Sequence, residues 1–379
     1  MAKRRISSEI TKSASLKDTP IQLQSLTSLR FFAALFVVLA HTSPPWPHFA
    51  ITLKISQFGN LGVTFFFILS GFVLTYSQNI STRKLSYNRF LRNRFARIYP
   101  LHVLFLLLTV VTLLIYRANP AGYPGLSIWK VVANIFLVHD WIPLHPEFRQ
   151  GLNGVSWTLS IELFFYLIFV PLYRFFIRRS LQQMLVIFSC LYLIYGVTLE
   201  IANLTHSLSL QDLLYFYPPF RLPEFVLGMT LAFYLQSGKK VFFHKAPPFL
   251  FIVILITALL LWSSLVHIQS QFTAETNFIA LPLFGLIIFS YSNAEMNSKS
   301  RVLQSRFLVQ LGEESYALYI SHALLLGIFA TELHRMNSTI LKPASGEVVT
   351  FIFILGAMGL ARLLHTAIEV PIRNALRSK

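Results

Sequence analysis

Long apolar stretches alternate with short polar, mostly basic connections along the whole chain. Ten stretches have the length and hydrophobicity of membrane spans: 26–42, 61–78, 98–116, 156–177, 183–203, 219–236, 247–266, 277–292, 314–331 and 348–368. An eleventh, 128–140 (IWKVVANIFLVHD), is short and ends in His139 and Asp140. Arginine and lysine distribution decides how to read it. With ten spans and the N-terminus inside, most of the 32 Lys and Arg fall in cytoplasmic segments. If 128–140 also crossed, the basic residues would divide nearly evenly. The pattern therefore predicts an all-α, polytopic helix bundle with about ten transmembrane helices and both termini cytoplasmic. Residues 128–140 then form a short outer-side or re-entrant helix, which must be covered by protein or line a water-filled cavity.

Composition agrees with this reading. The chain of 379 residues is 55% hydrophobic, with 36 Phe and a mean hydropathy of +0.60. Its net charge of +17 is spread between apolar blocks, which excludes a nucleic-acid module with a basic soluble face. The polar N-terminus, 1–21, reads as a disordered cytoplasmic tail with no signal-peptide cleavage site. A membrane domain over 22–375 follows, with a cytoplasmic tail at 376–379 and no soluble domain. Cys190 stands alone in an apolar run, so no intrachain disulfide forms and a buried, inert thiol is expected.

Ionisable groups at membrane depth are costly and point to function. Arg30 and His41 bracket only ten apolar residues. Eleven helical steps turn about 1100° and rise about 16 Å, so the two side chains share one face. The hydrocarbon core is about 30 Å thick, so at least one of them lies within it. A plainer reading stays open: Arg30 snorkels to the headgroups and His41 ends the helix before Pro44 and Pro45. Arg94 and Arg97 share a helical face in the basic run before the third span. They suit a bidentate phosphate clamp or, more plainly, topogenic charge and anionic-lipid contact. Glu162 lies in VSWTLSIELFFYL with no basic neighbour in sequence, and it needs a partner on another helix or a proton. Tyr316, Tyr319 and His322 recur every three residues and either line a polar cavity or make interhelical hydrogen bonds. Arg221 with Glu224, and the stretch IEVPIRN, are weaker features. His139, Asp140 and His145 lack metal-ligand spacing, and neither a Gly-rich nucleotide loop nor a GxSxG turn is present.

Seven motifs in order carry a resemblance: LTSLRFFAALFVVLAH, GVTFFFILSGFVLTYS, RNRFARIYPLH, VSWTLSIELFFYL, RLPEFVLGM, ESYALYISH and IEVPIRN. Together they resemble the acyltransferase family 3 membrane proteins, the O-acetylase group that modifies cell-envelope and exported polysaccharides. The resemblance runs over nearly the whole chain. It maps an arginine-ten-histidine motif onto Arg30 and His41, and an R-x-x-R pair onto Arg94 and Arg97. It maps the W-S-L-S-x-E segment onto Trp157 to Glu162, with Thr158 in place of a serine. Some members add a soluble esterase-like domain, which is not expected here.

The resemblance implies an O-acyltransferase in a bacterial cytoplasmic (inner) membrane. The donor is cytoplasmic acyl-CoA, foremost acetyl-CoA, as co-substrate, with no permanently bound cofactor and no metal. The acceptor is a hydroxyl of a carbohydrate or lipid-linked glycan. His41, Arg30 and Glu162 become the expected catalytic group, and Arg94 and Arg97 the donor-binding pair. Trp157, Ser160, Tyr316, Tyr319 and His322 become the expected acceptor cavity. His41 acts as general base or as transient acyl carrier. Two rival classes remain at this stage. Buried Arg, His and Glu also serve proton-coupled transport, and a non-catalytic subunit of a glycan-export assembly predicts no turnover.

Overall fold

The computed structural model describes residues 23–42, 58–78, 85–116, 127–143, 145, 151–238, 247–265, 274–297, 302–335 and 346–376. The expected tail 1–21 and nearly all of 376–379 lie outside them. Every described element is helical. The helices are α1 (Gln24–Thr42), α2 (Leu61–Tyr76), α3 (Tyr87–Tyr116), α4 (Ile128–Ile135), α5 (Trp157–Phe176), α6 (Leu181–Leu204) and α7 (Leu208–Phe216). Then follow α8 (Leu222–Gln236), α9 (Pro248–Leu265), α10 (Ala274–Met296), α11 (Arg306–Arg335), α12 (Gly346–Leu364) and α13 (Val370–Leu376). A π-helical turn, His365–Glu369, joins the last two.

Each of the ten expected stretches is helical. Among the described residues, six helical segments are long and apolar enough to cross a membrane: Gln24–Thr42, Tyr87–Ile115, Trp157–Phe176, Leu181–Leu204, Ala274–Met296 and Gly346–Leu376. Leu61–Tyr76 and Pro248–Leu259 are apolar but shorter. The eight residues of α4 rise only about 12 Å and cannot cross. Directions read from side-chain contacts agree. Phe90 of α3 stacks on Phe169 of α5, and Arg174 near the end of α5 reaches back to the Leu85 carbonyl. The two helices are therefore antiparallel, so α4 adds no net crossing between them.

Two close crossings set the centre. A Cβ on Gly228 of α8 would sit 1.9 Å from the Ile68 carbonyl of α2, so only glycine lets the two backbones meet. A Cβ on Gly312 of α11 would sit 1.9 Å from the Thr27 carbonyl of α1. That contact at one end, and His41 against His322 at the other, make α1 and α11 parallel neighbours. LRFFAALFVVLAH and SYALYISH thus lie side by side.

Aromatic side chains fill the space between these pairs. Phe165, Phe169 and Phe225 are fully buried and in ring contact. Beside them Arg221 and Glu224 form a buried ion pair at 2.8 Å, with Arg221 also donating to Thr64 and lying over Phe67 and Tyr215. The weak sequence feature at Arg221 is therefore a structural tie between α8 and α2. By contrast, α6 presents Val186, Leu193, Ile194 and Val197 outward, each more than half exposed. Cys190 lies exposed on the same helix rather than buried. The correction has a simple cause: a helix apolar on all sides does not reveal which face meets protein.

Candidate active site

Five helices meet around a cavity of about 110 Å³. Arg30 enters from α1, Ser70 from α2, and Arg94 and Arg97 from α3. Thr158, Glu162 and Tyr166 come from α5, and Ser315, Tyr316 and Tyr319 from α11, with Phe66, Phe67 and Leu69 on the apolar side. Arg94 and Arg97 reach it because α3 begins at Tyr87, well before the expected span start near 98. No glycine or proline interrupts Tyr87–Tyr99, so the basic run is already helix rather than loop. Three guanidinium groups against one carboxylate give the wall a net positive charge suited to an anion.

Helical geometry orders the α5 contribution. Thr158, Glu162 and Tyr166 are spaced by four and form one stripe. The Tyr166 hydroxyl donates to Glu162, which fixes the carboxylate within the wall. Tyr316 donates to the Ile98 carbonyl, tying α11 to α3. Tyr319 donates to the Val155 carbonyl at 3.4 Å, and its ring meets Phe66.

The cavity brings together Arg30, Glu162, Arg94, Arg97, Tyr316 and Tyr319 from the expected set. It leaves out four others. Trp157 packs into the aromatic core against Phe67, Tyr215 and Phe216. Ser160 faces the stretch after α4, where its hydroxyl accepts from the Asp140 backbone and its carbonyl from the Trp141 indole. His41 and His322 sit just past Tyr319, whose ring centroid is 5.7 Å from that of His322. The two imidazoles are edge to face with centroids 5.1 Å apart. His41 Nδ1 donates to the Val37 carbonyl at 2.8 Å, and His322 Nδ1 donates to the Tyr319 carbonyl at 2.6 Å. A carbonyl only accepts, so each Nδ1 carries the hydrogen and each neutral ring keeps its lone pair on Nε2.

Ser70 and Tyr166 are wall residues that sequence reasoning passed over. Tyr166 had a signal, its four-residue spacing from Glu162. Ser70 had none beyond standing in an apolar helix. Ser315 stands one residue before Tyr316 in the polar group on α11 that the sequence does single out.

A second buried polar cluster underlies α4. His102 Nε2 donates to the Asn134 carbonyl, and the Asn134 side chain accepts from the Leu152 backbone. Asn153 donates to the Ile320 carbonyl, which ties this cluster to α11 beside His322. His139 and Asp140 come within 3.2 Å. Burial, reinforced by the nearby His102, pushes the His139 imidazole down to about 3, so this contact joins a neutral ring to a carboxyl group. Among the described residues no cluster of three His, Cys, Asp or Glu could hold a metal ion.

Comparison with known proteins bears on this geometry. Residues 23–362 match the family model described as an acyltransferase domain. The chain is 32% identical over 376 residues to acyltransferase MdmB of Streptomyces mycarofaciens, covering 94% of this chain and 93% of that protein. It is 25% identical over 377 residues to O-acetyltransferase OatA of Staphylococcus aureus, covering 94% of this chain but 58% of that protein. It is 28% identical over 353 residues to a putative acetyltransferase, ORF330, of Acidianus two-tailed virus. No solved structure matches.

Proposed function

Because the chain belongs to the acyltransferase domain family and is an O-acyltransferase, we propose that it moves an acetyl group from cytoplasmic acetyl-CoA to a hydroxyl of a cell-envelope or exported carbohydrate. The observation that carries this reading is the cavity with Arg30, Arg94, Arg97 and Glu162 in its wall and the His41–His322 pair just past Tyr319.

The donor is anionic at one end and carries its thioester at the other. A cavity of about 110 Å³ takes the thioester end and not the whole coenzyme. Arg94 and Arg97 hold phosphate oxygens where the arm enters, with the exposed Arg89 and Arg92 of α3 extending the basic surface outward. Arg30 stabilises the oxyanion that develops at the thioester carbonyl. Glu162, restrained by Tyr166, balances the arginines. His41 Nε2 removes the proton from the acceptor hydroxyl as it attacks. The C–O bond forms, the C–S bond breaks, and the coenzyme leaves as its thiol.

The protein sits in this reading as a multi-pass protein of a bacterial inner membrane, with ten spans and both termini cytoplasmic. The charge bias favours that arrangement, and so does the antiparallel pairing of α3 with α5 across the short α4. Arg94 then lies on the cytosolic half of the bundle, where acetyl-CoA is found.

The test is direct. Purified protein in lipid discs receives acetyl-CoA labelled in the acetyl group, together with a membrane glycan extract from its host. Release of free thiol with label in the glycan fraction supports the reading. Intact thioester over many hours excludes it.

A further inference from the structure

The two histidines past Tyr319 are held alike, though His41 is only partly buried and His322 fully. Each lies on a helix of the parallel pair α1 and α11. Each is locked by a hydrogen bond from Nδ1 to a carbonyl of its own helix. Each therefore presents Nε2 as its acceptor nitrogen. His322 is completely buried, and its Nε2 has no hydrogen-bond partner among the described residues. Leaving a buried acceptor unmet costs stability. The hydroxyl of Tyr319, whose ring contacts that of His322, is already committed to Val155.

Two acceptor nitrogens on rings whose centroids are 5.1 Å apart can be met together by one proton between them or by a donor hydroxyl. Nothing in a purely structural role requires it. A leucine or phenylalanine at 322 would fill the same buried position without an unmet nitrogen.

We propose that His322 is a second proton-handling residue of acyl transfer, and that its Nε2 shares with His41 Nε2 the proton released by the acceptor hydroxyl. This rests on the reading of His41 as the base. In the step, the acceptor O–H bond breaks as the oxygen bonds to the thioester carbonyl carbon. The proton passes to the paired imidazoles and is held across both Nε2 atoms. The C–S bond then breaks, and the departing thiolate takes that proton and leaves as the thiol. No oxidant or further reactant is needed. Sharing the charge over two rings lets a site closed to water carry a cation that one buried imidazole would carry at greater cost.

The shape of histidine supplies a discriminating variant. In His322→Asn the amide nitrogen takes the place of Nδ1 and can still donate to the Tyr319 carbonyl, while Nε2 is gone. A structural role would survive that change. Shared proton handling would not: thiol release from acetyl-CoA in the presence of host membrane glycans should fall about 100-fold, within the usual range for general acid–base catalysis. The KM for acetyl-CoA should stay within about twofold. Turnover in His322→Asn within about threefold of wild type overturns the proposal. A measurement on the unaltered protein decides the matter if the variant fails to insert. With nitrogen-15-labelled histidine, the His322 Nε2 resonance should shift together with that of His41 as the pair takes up one proton, and a His322 Nε2 that stays at its unprotonated position while His41 titrates overturns the sharing. Should His41→Ala keep full activity, the reading of the base fails instead. Should His41→Ala be inactive while His322→Asn is not, only the present proposal fails.

Discussion

Tyr166 donates its hydroxyl hydrogen bond to Glu162, one turn away on α5, and both face the cavity that holds Arg30, Arg94 and Arg97. The bond holds the single carboxylate of the wall on the α5 side, facing the arginines. Tyr166→Phe removes that restraint without changing the ring. Released, Glu162 pairs with an arginine and competes with the anionic donor. The KM for acetyl-CoA should rise about tenfold, the scale of one hydrogen bond to a charged group. Steady-state kinetics with varied donor checks this, and an unchanged KM removes the restraint from the account.

Arg94 and Arg97 are assigned to donor phosphates. Arg94→Ala and Arg97→Ala should each weaken acetyl-CoA binding at least tenfold and leave acceptor dependence nearly unchanged. Equilibrium binding of labelled CoA reads the effect without turnover. Normal binding in both variants removes the clamp.

The glycine crossings predict a contrast within one chain. Gly312→Leu and Gly228→Leu put a Cβ 1.9 Å from a neighbouring backbone oxygen. A backbone cannot yield that far, so both variants should fail to give a monodisperse protein in detergent. Gly356 has nothing within 4 Å of the same added atom. Gly356→Leu should behave as wild type by size-exclusion profile and thermal inactivation.

The buried Arg221–Glu224 pair makes a different prediction. Arg221→Met leaves a buried carboxylate without its cation and should cost about 3–5 kcal/mol. Changing Glu224→Met in the same chain should recover much of that loss. Thermal inactivation of the two variants in the same detergent gives the comparison. Equal losses would show that the charge pair is not what ties α8 to α2.

Orientation is open to a reporter fused after Gly151. The account places that loop on the outer side, because the charge bias puts the N-terminus inside and α4, too short to cross, leaves the antiparallel α3 and α5 joined on one side. A cytoplasmic reporter signal would reverse the order of every later helix.

The residues that converge on the cavity were legible as charges and hydroxyls standing where lipid or a core was expected. Arg30, Arg94, Arg97 and Glu162 announce themselves that way, and so do Tyr316 and Tyr319. Trp157 and Ser160 were grouped with Glu162 because they share its motif, yet they fall on other faces of α5. Ser160 is two residues, about 200°, away from Glu162. Thr158 and Tyr166, four residues to either side, are the motif positions that share its face and its cavity. Helix faces can be counted from sequence, but neighbouring helices cannot. The meeting of His41 with His322 depends on α1 and α11 lying side by side, and that follows from Gly312 meeting Thr27, a contact between positions far apart in the chain. The early start of α3 was hidden by its charge, since a hydropathy window begins only where the arginines stop.

The central claim is that this cavity and its histidine edge carry an acetyl group from coenzyme to carbohydrate. The most direct measurement compares wild type with His41→Ala, inserted to equal levels in host membranes and given acetyl-CoA labelled in the acetyl group. The account predicts label in the glycan fraction with wild type and none above background with His41→Ala, while both proteins still bind CoA. Equal labelling by the two proteins would contradict it.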